Sequence, residues 1–66
     1  MNVIVNDKPT EVEHNTSIVT LLNQFNIVHP MTIVEINRTV IAKDEWHTHI
    51  VNDGDRIEII QLMGGG

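Results

Sequence analysis

The 66-residue chain has no cysteine and no tyrosine, one tryptophan, one phenylalanine, and only four basic side chains against nine acidic ones. Each shortage closes off a class of protein. Without cysteine there is no disulfide and no thiol on which the chain itself could hold sulfur, and the composition suits a reducing compartment. A formal net charge of −5 argues against nucleic-acid binding, which needs a basic surface. The same charge fits a soluble monomer that repels its own copies and meets basic partner surfaces. No apolar run approaches the roughly 20 residues needed to cross a bilayer. The opening MNVIVNDKP has neither the basic start nor the apolar stretch of a signal peptide, so the expected location is cytoplasmic. At this length a single domain buries only roughly 60% of its unfolded surface, so its stability is marginal.

What is there is a regular alternation of apolar and polar residues. Met1 to Asn6 reads as a strand with Met1, Val3 and Val5 on one face. Asn6-Asp7-Lys8-Pro9 is a turn signal, and Thr10 to Glu13 returns as a second strand with Val12 inward. Pro9 cannot donate to a ladder, which places it at a strand start or a sheet edge. Thr16 or Ser17 caps a helix whose apolar face is Ile18, Leu21, Leu22 and Phe25, with Asn23 and Gln24 turned to water. Pro30 stops any continuation and pushes His29 to extended geometry.

Thr32 to Asn37 is a third strand, with Val34 and Ile36 on one face and Ile33 and Glu35 on the other. Asn37-Arg38 allows a tight turn into a short strand at Thr39 to Ile41. Lys43 to His47 reads as a short helical turn whose Trp46 plugs one end of the core. Asn52-Asp53-Gly54-Asp55 is a turn with Gly54 at positive φ. Arg56 to Leu62 is the last strand, with Ile57 and Ile59 on one side and Glu58, Ile60 and Leu62 on the other. One helix over a mixed sheet, in the order ββαββ, turn, β, gives a two-layer α+β domain over residues 1–62.

Side-chain catalysis finds little support. His14, His29, His47 and His49 are scattered and read as surface residues, since a metal site needs three or four convergent ligands. Ser17 is explained as a cap, and Asp53 and Asp55 by turn chemistry around Gly54. No glycine-rich phosphate loop lies between a strand and a helix. What remains is the C-terminal segment 63–66, Met63 followed by Gly64-Gly65-Gly66. Three glycines have maximal backbone freedom, so this tail is expected to be flexible. By themselves they read as a frayed end, and directly after the last strand they also read as a working tail.

The whole chain resembles the ThiS-type sulfur carriers of thiamin (thiazole) biosynthesis, of the ubiquitin-like β-grasp family. The resemblance rests on Asn6-Asp7, the Ser17 to Leu22 helix, Glu35-Ile36-Asn37, Glu45-Trp46, the stretch His49 to Ile59 with its Gly-Asp-Arg-Ile-Glu core, and the terminal Gly65-Gly66. Ala42 departs from the proline common before the Trp-bearing turn, and Gly64 adds a third glycine. The resemblance implies a β-grasp fold with the first and last strands paired at the sheet centre. It implies a protein cosubstrate rather than an enzyme, binding no cofactor itself. In such a system an E1-like (ThiF-type) adenylyltransferase uses ATP to adenylate the Gly66 carboxylate. A sulfurtransferase or cysteine desulfurase then supplies sulfur for a thiocarboxylate, and a ThiG-type thiazole synthase consumes it. Gly64 and Gly65 would thread a narrow channel. The expected docking face comprises Ile60, Leu62 and Met63, with Glu58 and Asp55 as acidic steering groups. The alternatives are the small subunit of molybdopterin synthase, a lysine-conjugated modifier, and a non-catalytic binding module with an inert tail.

Overall fold

The computed structural model describes residues 1–27 and 30–62. In chain order the elements are β1 (Asn2–Val5), β2 (Lys8–Glu11), α1 (Ile18–Gln24), β3 (Thr32–Ile36), β4 (Thr39–Ile41), a 3₁₀ turn (Lys43–Glu45) and β5 (Arg56–Gln61). The five strands form one mixed sheet in the order β2-β1-β5-β3-β4. β1 and β5 are parallel neighbours at its centre, and the other pairings are antiparallel. This is the β-grasp arrangement that the resemblance implies.

Two asparagines start the two hairpins. Asn6-Asp7 and Asn37-Arg38 all take positive φ, from 49 to 71°, the backbone of a two-residue turn whose twist matches its flanking strands. Asparagine tolerates that region better than most residues. Pro9 lies in β2, an edge strand, where its missing N–H leaves no rung broken. β2 ends at Glu11, two residues before the expected boundary, and Val12 is buried just beyond it.

The seven-residue α1 is too short to persist alone; its termini and its buried face hold it. Ile18 and Val19 donate to the carbonyls of His49 and Trp46 at 3.1 Å, and Thr20 N–H donates to Ser17 Oγ. The helix N-terminus is thereby seated on the loop that carries Trp46. At the other end Asn26, at φ 57°, closes a Schellman cap: Ile27 N–H donates to Leu22 O at 2.9 Å and Asn26 N–H to Asn23 O at 3.1 Å. The helix therefore ends at Gln24, six residues before Pro30, with Phe25 as its cap. Phe25 falls on the cap rather than on the helical face and is 39% exposed, a correction to the four-residue apolar stripe. The expected extended geometry at His29 lies outside the described residues.

Ile18, Leu21 and Leu22 pack on Val3, Val5, Val34, Ile36, Ile57 and Ile59 from the inner face of the sheet. Trp46 and Val51 close one end, with Trp46 Nε1 donating to Ile41 O at 3.1 Å. Gly54, at φ 85°, makes the turn into β5, and its N–H donates to Asn2 O. No helix among the described residues is long and apolar enough to cross a membrane.

Candidate functional site

The alternation that buries Ile57 and Ile59 turns Glu58 and Ile60 to the opposite, helix-free face of the sheet. Ile60 is 37% exposed and Leu62 43%, so Ile60 is a surface residue even though β5 is central. Leu62 follows β5 directly, and its N–H donates to Met31 O at 3.0 Å, extending the β3–β5 ladder to the last described residue.

The β3–β5 register supplies neighbours that no local pattern contains. Ile33 lies opposite Ile60, and Glu35 opposite Glu58. On the other side of β3, Val40 lies opposite Glu35 and is 62% exposed. The result is an apolar row, Ile33 and Ile60 with Leu62 beyond, beside an acidic row, Glu35 and Glu58. Two carboxylates directly opposite on one face repel. Among the described residues the one ion pair is Arg56–Asp7, at the far end of β5, so no cation of that kind relieves them. The face thus offers desolvatable area bordered by negative charge, with the strand leading to the glycine tail running through it.

Asp55, expected among the acidic steering groups, is not part of this face. It is 8% exposed, and its carboxylate accepts from Asn37 Nδ2 at 3.0 Å and from Asn52 N–H at 2.8 Å. It is a structural acid that holds the turn before β5 against the β3–β4 hairpin. Its place at the acidic edge is taken by Glu35, which the sequence put on an outward face of β3 without saying what lay opposite. Met63, Gly64, Gly65 and Gly66, together with the expected flexibility of segment 63–66, lie outside the described residues.

Among the described residues no group of three or more His, Asp or Glu could hold a metal ion, and every buried side-chain nitrogen and oxygen has a hydrogen-bond partner. What the arrangement can do chemically is bind, through an apolar row bordered by two carboxylates.

A family model, described as the ThiS family, matches residues 3–66. The chain is similar to the sulfur carrier protein ThiS of Escherichia coli (strain K12), 29% identical over 66 residues that cover all of both chains. It is also similar to the crystal structure of the thiamine biosynthesis protein ThiS from Geobacter metallireducens, with a TM-score of 0.86, 32% identity and full coverage of both chains. A thiazole synthase of Paramagnetospirillum magneticum (strain ATCC 700264 / AMB-1) is 27% identical over 66 residues, which span all of this chain and 20% of that protein.

Proposed function

Because the chain belongs to the ThiS family and is a sulfur carrier of thiamin biosynthesis, we propose that it carries the sulfur as a thiocarboxylate on Gly66. The observation that carries this reading is the span of the family match, which runs through the glycines to Gly66 itself. The chain has no cysteine, so a carboxyl carbon takes the place of the thiol that sulfur transfer would otherwise use.

A carboxylate is a poor electrophile, and one of its oxygens must first become a leaving group. An E1-like adenylyltransferase does this with ATP: the Gly66 carboxylate attacks the α-phosphorus, pyrophosphate departs, and an acyl-adenylate remains. The terminal sulfur of a persulfide on a sulfurtransferase or cysteine desulfurase then attacks the acyl carbon and displaces AMP, and a second thiol cleaves the resulting acyl disulfide, leaving the thiocarboxylate and a disulfide. The contribution of this chain is delivery. The sheet face of Ile60, Leu62 and Glu58 docks on the enzyme, with Met63 as a further contact. The four residues after Leu62, at about 3.3–3.6 Å each, reach at most about 14 Å from it, with Gly64 and Gly65 leaving no side chain to obstruct a channel. Ordering each tail residue costs roughly 1–2 kcal/mol, which suits a carrier that must leave one enzyme for the next.

Thiazole synthase is the proposed acceptor of the sulfur. The P. magneticum synthase contains within its own length a segment like this whole chain, and tethering raises the effective concentration of groups that must meet. The cytoplasm, where such enzymes and ATP are present, is the proposed location.

The test is an intact mass after incubation with the cognate adenylyltransferase, ATP and a sulfur source. Replacement of one oxygen by sulfur, mapped to Gly66, is expected; an unchanged mass with active enzymes would sink the reading. Binding to a thiazole synthase, and not to the large subunit of molybdopterin synthase, separates the two carrier branches.

A further inference from the structure

Asn6 continues β1 with its side chain after its main chain has turned away. Its backbone, at φ 49°, leaves for β2, while its N–H still donates to Ile57 O at 2.9 Å. The carboxamide then meets the next β5 residue on the same edge. Ile59 N–H donates to Asn6 Oδ1 at 2.8 Å, and Asn6 Nδ2 donates to Ile59 O at 3.3 Å. A carboxamide offers the same donor and acceptor as a peptide group, so Asn6 adds one more rung to the parallel ladder, whose backbone register ends at Val5 and Ile57.

Among the described residues that rung is the last on this side, and beyond Ile59 they hold β5 from β3, through the Thr32–Gln61 register and the bond from Leu62 N–H to Met31 O. Gly66 lies seven residues further along the chain than Ile59.

We propose that Asn6 is a positioning residue for the chemistry at Gly66: its paired hydrogen bonds to Ile59 fix the root from which the C-terminal segment leaves the domain. The assignment rests on the reading of Gly66 as the activated group. An enzyme that grips the sheet face and the carboxylate together senses the path between them, and that path begins where β5 ceases to be held on both sides. Without the carboxamide, the end of β5 keeps one neighbouring strand instead of two partners and opens more readily. Each further residue the enzyme must then order weakens capture about tenfold.

The neighbouring features do not share this role. Asn37 makes a similar pair of contacts, to Asp55 and Arg56, but at the start of β5. The Arg56–Asp7 pair is also at that end and solvent-exposed, where such pairs contribute little.

Asn6→Gly tests the assignment, because glycine keeps the positive φ and removes the carboxamide. Asn6→Asp keeps an acceptor for Ile59 N–H and sets a carboxylate oxygen against Ile59 O. Pyrophosphate release by the adenylyltransferase is measured with the carrier as the varied substrate, alongside amide hydrogen exchange at Ile59 and Ile57. Asn6→Gly is expected to raise the KM for the carrier about tenfold with kcat unchanged, and to speed exchange at Ile59 more than at Ile57. Val12→Ala, destabilised at a buried site beside Met1 at the other end of the sheet from Ile59, is expected to keep the parental KM at temperatures where it is folded. A folded Asn6→Gly chain with the parental KM overturns the assignment. If the glycine variant does not fold, Asn6→Asp decides by the same readout. A parental chain that gives no pyrophosphate release overturns the reading of Gly66, and this assignment with it.

Discussion

The carboxylate of Asp55 is joined to the side-chain amide of Asn37, with Nδ2 donating to Oδ1 at 3.0 Å across 18 residues of sequence. The same carboxylate accepts Asn52 N–H, and Asn37 Oδ1 accepts Arg56 N–H. These bonds tie the turn before β5 to the turn between β3 and β4.

Asp55→Ala leaves the Asn37 amide and the Asn52 N–H without their partner in a site 8% exposed. The expected cost is about 1–3 kcal/mol, read as a lower urea midpoint with an unchanged slope. Because Asp55 is engaged inside the fold, the salt dependence of association with an adenylyltransferase should match the parent. A marked loss of salt dependence would return Asp55 to the steering role.

Leu21 and Phe25 separate what the helical period shows from what it does not. Leu21 is fully buried and Phe25 is 39% exposed. Leu21→Ala should cost about 2–5 kcal/mol, enough to unfold much of a domain this small, whereas Phe25→Ala should stay within about 0.5 kcal/mol. Thermal melts followed by far-UV circular dichroism distinguish them, and equal losses would refute the assignment of Phe25 to the cap.

Why Phe25 misleads shows where the sequence carries the fold and where it does not. The strands, both hairpin turns, the Ser17 cap and the Gly54 turn are local: each is written in a few adjacent residues whose backbone preferences agree with the sheet. Phe25 keeps the helical spacing, but Asn26 ends the helix through a left-handed conformation that asparagine permits and does not enforce. Pro30, the more obvious stop, lies four residues later. Asp55 reads as an exposed turn acid because Asn37, which buries it, is distant in sequence. The outer face is half legible for the same reason: alternation turns Glu35, Glu58 and Ile60 outward, and only the β3–β5 register makes them neighbours.

The cap itself is testable at Asn26, whose φ is 57°. Asn26→Ala places a Cβ in the left-handed region at a cost of about 1–2 kcal/mol. Asn26→Gly adopts the same conformation without that cost and should be at least as stable as the parent. A glycine variant less stable than the alanine variant by chemical denaturation would show that the asparagine side chain, and not its backbone, ends the helix.

Deletion of Gly66 leaves a chain that still ends in a glycine carboxylate, set back by about 3.3–3.6 Å. The core residues run from Val3 to Ile59, so the melting temperature should be unchanged while thiocarboxylate formation, followed by intact mass, is lost. A shortened chain that gains sulfur at the parental rate would mean that the enzyme does not measure the length of the tail.

Glu58 lies opposite Glu35 on the outer face, and the repulsion between them is an expense to the isolated domain. Removing one charge by Glu58→Gln should therefore stabilise the fold, by about 0.2–1 kcal/mol. The same change removes a negative group from the proposed docking face, so association with a basic enzyme surface should slow and become less sensitive to salt. Stability and association rate are thus expected to move in opposite directions. A purely structural role would move stability alone, and a role in neither would leave both unchanged. Denaturant melts and stopped-flow association at two ionic strengths, on the same variant, distinguish these outcomes. If association is unaffected while the fold gains stability, the acidic row is a strain within the sheet and the partner is recognised through Ile60 and Leu62 alone.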